Sequence, residues 1–178
     1  MVIVEHDQFR YFDFGRYLTP RIMGRSRSQE TDPKLALTTR PEWDERGHLT
    51  NFKALLQELE DKKAATHGDG RMFASIFYGG DVAKALAFAH QMQEKGFMGY
   101  NGLDRRQSNC ARFVATTILA SLEPGTRPYR RFRYPVTLAP SPVLQCHCWG
   151  KLWPVYDMER RPRRMASTPC GTCPPGHS

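Results

Sequence analysis

The ten residues RRQSNCARFV (105–114) place a single cysteine where a polar run gives way to an apolar one. With Ser108 or Asn109 as N-cap, Cys110 falls in the first turn of a helix whose apolar face is Phe113, Val114, Ile118 and Leu119. Amide N–H groups of a first turn have no partner inside the helix, and the helix dipole adds about half a positive charge there. Both favour thiolate over thiol, and the same amides suit a developing oxyanion. The competing role is packing: Cys110 lies one turn from Phe113 and Val114, and free cysteines are commonly buried small hydrophobes. The other four cysteines form a Cys146-x-Cys148 pair and a Cys170-x2-Cys173 pair. Four such thiolates can surround one zinc ion, with His147 and His177 as spare ligands. The second pair lacks the apolar neighbours that pack a zinc ribbon, so the chain is expected to need no cofactor, zinc being the alternative.

A thiol nucleophile must be carried by a folded core, and 178 residues suffice for one without staples. An odd cysteine count with no Sec-type leader argues against a disulfide framework. The start, MVIVEHDQFR, has no basic n-region, no long apolar run and no small-residue cleavage site. No window approaches the ~18 apolar residues of a membrane span. The chain as given therefore reads as cytoplasmic, with export by a dedicated secretion machine left open. Net charge is +8, concentrated in RPYRRFR (127–133) and ERRPRR (159–164). Neither run lies on an obvious amphipathic helix, and no zinc-finger, helix-turn-helix or RNP pattern accompanies them. A solvated basic surface facing an anionic one is the expected partner relation, rather than a nucleic-acid site.

Two short β-rich runs, VIVEH (2–6) and RYFDFGRY (10–17), predict an N-terminal hairpin turning around DQF. Residues 18–50 read as a long loop with one short strand at KLALTT (34–39). Helical spacing predicts helices over 50–65, over 81–96 with Asp81 as cap and Gly96 as stop, and over 108–122. RMFASIFYGG (71–80) reads as a buried strand, 97–107 as loop, and YRRFRYPVTL (129–138) as a final strand. Beyond Pro140 no period persists, so the expected division is a domain over 1–140 and a Cys/Pro/Arg-rich tail over 141–178 that stays out of the core.

NCARFV resembles the nucleophile motif of circularly permuted papain-like hydrolases, the NlpC/P60-related group that includes the lecithin:retinol acyltransferase family. YFDFGRY resembles the Asp-x-Gly-Arg-Tyr strand of bacterial members, and the order of hairpin, helices and cysteine helix is similar too. The resemblance spans roughly residues 1–122. It implies an α+β, permuted papain-like fold: an antiparallel sheet with an N-terminal hairpin, packed against a few helices including the one that bears Cys110. It also implies a Cys-His hydrolase or acyltransferase acting on an amide, ester or thioester of a cell-wall peptide, protein or lipid. The backbone near Ala111 would then hold the oxyanion, and Asp13 would orient a first-strand histidine.

The histidine is harder to place. His6 adjoins the first strand, but a turn at Asp7-Gln8 sets His6 opposite Phe9 and Asp13 opposite Val2. A turn one residue longer sets Asp13 opposite Ile3. Either His6 serves as base through a bulged hairpin, or the residue that Asp13 orients falls at or before Met1. His67, in the loop THGDG, is the alternative base; the bland reading is a solvated loop histidine. His90 reads as half-buried packing, His48 as a loop residue, and Asp13 equally as the ion-pair partner of Arg10, Arg16 or a lysine. A zinc-binding or catalytically degenerate interaction module is the rival to the enzyme.

Overall fold

The computed structural model describes residues 1–66, 72, 74–101, 104 and 106–133. It is an α+β fold whose four antiparallel strands lie in sequence order: β1 (Val2–Glu5), β2 (Gln8–Gly15), β3 (Met23–Ser28) and β4 (Met98–Gly99). The helices are α1 (Phe52–Asp61), α2 (Lys63–Thr66), α3 (Val82–Glu94), α4 (Cys110–Ala120) and α5 (Arg127–Arg133).

The hairpin turns at His6-Asp7, not at Asp7-Gln8. Glu5 pairs with Gln8 and Val2 with Tyr11. His6 takes the left-handed conformation a two-residue turn requires (φ 47°), and histidine tolerates it better than most residues. The ladder continues to Met1, which exchanges both backbone bonds with Phe12 at 2.9 and 2.8 Å. Phe12 and Phe14 face the helices and Tyr11 and Asp13 the other side, as strand alternation demands. Phe12, Phe14 and Phe113 form the centre of the core with Ala85, Leu86, Ala89 and Met92 of α3. Asp81 caps α3 by accepting the Lys84 N–H at 3.0 Å, and Gly96 (φ 63°) follows its end, as the sequence indicates. His90 packs edge-on against Phe12 at 5.2 Å.

Five segments differ from the sequence expectation. MGRSRS, read as loop, is β3. KLALTT holds a short 3-10 turn (Pro33–Leu35) in place of a strand. RPYRRFR is α5, with Phe132 buried; Pro128 is its second residue, where the missing N–H costs no helical bond. Residues 74–79 form no strand, and β4 interrupts the expected 97–107 loop. The region after residue 133 lies outside the described residues.

The loop before α1 is tied to that helix by the Glu58 carboxylate. Glu58 accepts the Thr38 N–H (2.6 Å), the Thr38 hydroxyl (2.9 Å) and the Thr39 N–H (2.8 Å). Partial burial pushes its pKa upward, but the bonds from Thr39 and Thr38 outweigh that and hold the carboxyl at about 2. A carboxyl with a depressed folded-state pKa stabilises the fold fully above its unfolded value of about 4.5, and that contribution is lost as pH falls toward 2. Glu58→Gln is expected to cost about 1–3 kcal/mol at pH 7 and to flatten acid sensitivity between pH 4.5 and 2. Urea unfolding followed by circular dichroism at several pH values checks both; an equally acid-sensitive variant refutes the assignment.

Candidate active site

Cys110 is the first residue of α4 and is exposed. Asn109 is extended (φ −144°, ψ 175°) and caps the helix by accepting the Arg112 N–H at 2.8 Å. The segment entering the helix is stitched to β4: Ser108 N–H donates to Gly99 at 3.0 Å and Asn101 N–H to Ser108 at 3.0 Å. Ala111, the next residue, is buried.

The sulfur has an aromatic neighbour that sequence patterning did not reveal. The Tyr100 hydroxyl lies 3.8 Å from Cys110 Sγ. Its ring stacks on Phe14 at 6.0 Å, with the Arg16 guanidinium 5.4 Å over its centroid. Gly24 makes room: a Cβ there would stand 2.8 Å from both the Phe14 and Tyr100 rings. Burial first, then the bond to Cys110, raises the Tyr100 pKa, so the hydroxyl stays protonated at neutral pH and can donate to the sulfur.

Asp13 lies in a buried ionic cluster beside this corner. Arg27 grips it through two bonds, Nε to Oδ1 at 3.0 Å and Nη2 to Oδ2 at 2.6 Å, and the Tyr11 hydroxyl donates to Oδ2 at 3.2 Å. The side chains of Arg27 and Asp13 are 4% and 13% exposed. The guanidinium also sits 3.4 Å over the Tyr17 ring and donates to the Ala65 carbonyl at 3.3 Å. Burial opposes the charge on Arg27, yet Asp13 overrides it and its pKa rises. Burial and then Asp13 push both Tyr11 and Tyr17 upward. The ion-pair partner of Asp13 is thus Arg27, while Arg10 pairs with Glu5 and Glu30.

The Met1 amino group is buried, which lowers its pKa, while the charges of Asp13 and Cys110 pull it partly back. Tyr17 is within electrostatic reach of Asp13 and Cys110 alike. The structure thus sets the Tyr100 hydroxyl on the thiol, while Asp13 is held by Arg27 and Tyr11 on the face of the sheet turned away from the helices.

It does not bring His6 there. His6 is exposed in the hairpin turn, five residues from Met1, or roughly 16 Å along the strand. The register places the position opposite Asp13 one residue ahead of Met1. His48 pairs with Asp44 at 3.4 Å on an exposed loop. Among the described residues no histidine bonds to Cys110, and no cluster of His, Cys, Asp or Glu could hold a metal. His67, Cys146, Cys148, Cys170 and Cys173 lie outside the described residues. So do His147 and His177. Among the described residues no helix is long and apolar enough to cross a membrane.

A family model described as type VI secretion system effector TseH-like matches residues 1–126 of the 178. No curated protein and no solved structure matches.

Proposed function

Since the chain belongs to the TseH-like family of type VI secretion system effectors, we propose that it is a thiol-dependent hydrolase or acyltransferase with Cys110 as nucleophile. The observation that carries this reading is an exposed cysteine at the first position of a capped helix, with a tyrosine hydroxyl on its sulfur. The helix terminus stabilises a thiolate electrostatically. The thiolate attacks the carbonyl carbon of an amide, ester or thioester, the Ala111 amide holds the oxyanion, and a base passes the thiol proton to the leaving group. The papain-like character rests on the NCARFV and YFDFGRY motifs together with the antiparallel sheet and the cysteine helix packed on it. Export by a dedicated machine agrees with the family.

Of the two candidate bases we favour His67. The residues before it are tied to the partners of Asp13: the Thr66 carbonyl accepts the Tyr17 hydroxyl at 3.2 Å, and the Ala65 carbonyl accepts Arg27. His6 stands at the far end of the hairpin. Asp13, held by Arg27, would then act on the imidazole as a fixed negative charge.

The test is the pH dependence of iodoacetamide alkylation at Cys110, read by peptide mass spectrometry. A reactive site gives an apparent pKa well below the ~8.5 of a free thiol, shifted upward in His67→Ala and unmoved in His6→Ala. A shift in His6→Ala instead moves the base to the hairpin turn. A cysteine that alkylates like free thiol in every protein sinks the nucleophile reading and favours a degenerate binding domain.

A further inference from the structure

β1 is the outermost strand of the sheet and pairs on one side only, with β2. In an antiparallel ladder, opposed residues alternate between pairs that exchange two bonds and pairs that exchange none. Met1 exchanges both with Phe12. The register then makes Ile3 with Arg10, and Glu5 with Gln8, the next bonded pairs. Val2 and Val4 fall at the positions between, so their N–H and C=O groups point away from β2. Among the described residues nothing bonds those outward groups. An edge of this kind is a template for another strand.

The edge borders a cavity of about 790 Å³, lined by residues 1–4, residues 74–80, and Val114 and Ile118 of α4 among others. Strand side chains alternate between faces, so four consecutive residues line one cavity when it opens along the strand's edge. From strand spacing, rise and sheet separation, an extended residue occupies roughly 160 Å³, which leaves room here for about five. The lining mixes apolar side chains with the hydroxyls of Ser75, Tyr78 and Thr117. Among the described residues that line it, only the side chain of Asp81 is ionised, and it is engaged as the cap of α3. Any occupant displaces water from the outward amides and carbonyls of Val2 and Val4. One without donors and acceptors at strand spacing leaves them unpaired, which is unfavourable.

We propose that the free edge of β1 binds an extended polypeptide segment of a partner as a fifth strand, seated in this cavity. The partner's backbone pairs with Val2 and Val4, and its uncharged side chains, small or β-branched, fill the space between the edge and the lining. Charged side chains find no counter-charge there. The inference does not rest on Cys110: no covalent bond is made or broken, and a protein without the thiol binds the same segment.

The experiment uses the full chain and a fluorescent, blocked peptide of alternating valines and threonines, about five residues long, with a lysine and a glutamate at its ends. Anisotropy is expected to show saturable binding to wild type and equally to Cys110→Ala, which reads binding apart from turnover. The same peptide N-methylated on its central amides should bind about tenfold more weakly or worse, since it donates nothing to β1. Val4→Pro removes one outward N–H and should weaken binding about tenfold. Its melting temperature should stay near wild type, because no bond to β2 uses that N–H and edge strands admit proline. Val4→Thr keeps the N–H and should bind within about threefold of wild type. Amide exchange followed by NMR gives the signature of the added strand. The peptide should slow exchange at Val2 and Val4 by about tenfold or more and leave Ile3 and Glu5, already bonded to β2, unchanged. That readout stands even where Val4→Pro fails to fold. No binding of the parent peptide, equal binding of its N-methylated form, or unslowed exchange at Val2 and Val4 overturns the proposal. Slow exchange at Val2 and Val4 without peptide, in a protein that sediments as a dimer, also overturns it and gives the edge to a second copy of this chain.

Discussion

Arg27→Ala is expected to destabilise the protein by about 3–5 kcal/mol, the cost of leaving one member of a buried ion pair unmatched. Asp13 would remain 13% exposed with only the Tyr11 hydroxyl and whatever water could enter. The variant also forfeits the stack on Tyr17 and the bond to Ala65, which tether α2 to the sheet. For a domain of this size the melting temperature should fall by roughly 10 °C or more. Asp13→Ala should cost less, because the guanidinium keeps the Ala65 carbonyl, the Tyr17 ring and Asp32 at 4.0 Å. The double variant Asp13→Leu/Arg27→Met should recover most of the loss, since an apolar pair of similar volume avoids the desolvation of both charges. Thermal melts of the four proteins check this cycle. If the single variants melt within a degree or two of wild type, the cluster is not holding β2 to β3.

The same cycle separates two roles for Asp13 that the sequence leaves equal. A stable double variant without activity gives the carboxylate a part in the chemistry, acting on the imidazole as a fixed charge. A stable and active double variant makes Asp13 a structural partner of Arg27 alone.

What the sequence reveals follows from which physical signals are local. The helices announce themselves because apolar residues recur at helical spacing and their caps are adjacent in sequence: Asp81 before α3, Asn109 before α4. Cys110 at the first helical position is legible for the same reason. β3 is hidden because MGRSRS has neither alternation nor apolar content. Its Ser26 and Arg27 are buried because a partner distant in sequence, Asp13, satisfies them, while the Ser28 hydroxyl bonds locally to Glu30. α5 misleads in the opposite way, since Tyr129 and Phe132 among arginines look strand-like until Phe132 finds its place in the core. Tyr100 carries no periodic signal at all. Its position depends on a backbone bond to Ile22 and on the missing side chain of Gly24, neither of which nearby residues disclose. The hairpin register turns on one residue's tolerance of positive φ, and that single step carries His6 out of the strand.

Cys110→Ala should lower kcat/KM by about four orders of magnitude or more, as removal of a covalent nucleophile does elsewhere. It should leave stability within about 0.5 kcal/mol, because the side chain is exposed and the helix is capped by Asn109 rather than by the thiol. That pairing of effects excludes the packing role, in which loss of a buried group would lower stability and activity together. Tyr100→Phe refines the result. It removes the hydroxyl from the sulfur but keeps the ring stacked on Phe14 beneath Arg16. If the hydroxyl steadies the thiolate or the oxyanion, kcat/KM should fall about 10- to 100-fold at an unchanged melting temperature. The apparent pKa of Cys110 alkylation should rise as well, which a purely structural tyrosine would not cause. Steady-state kinetics, melting curves and the alkylation profile of both variants together decide the matter. Full activity in Cys110→Ala would leave α4 as a scaffold and move the search for function to the domain's surface.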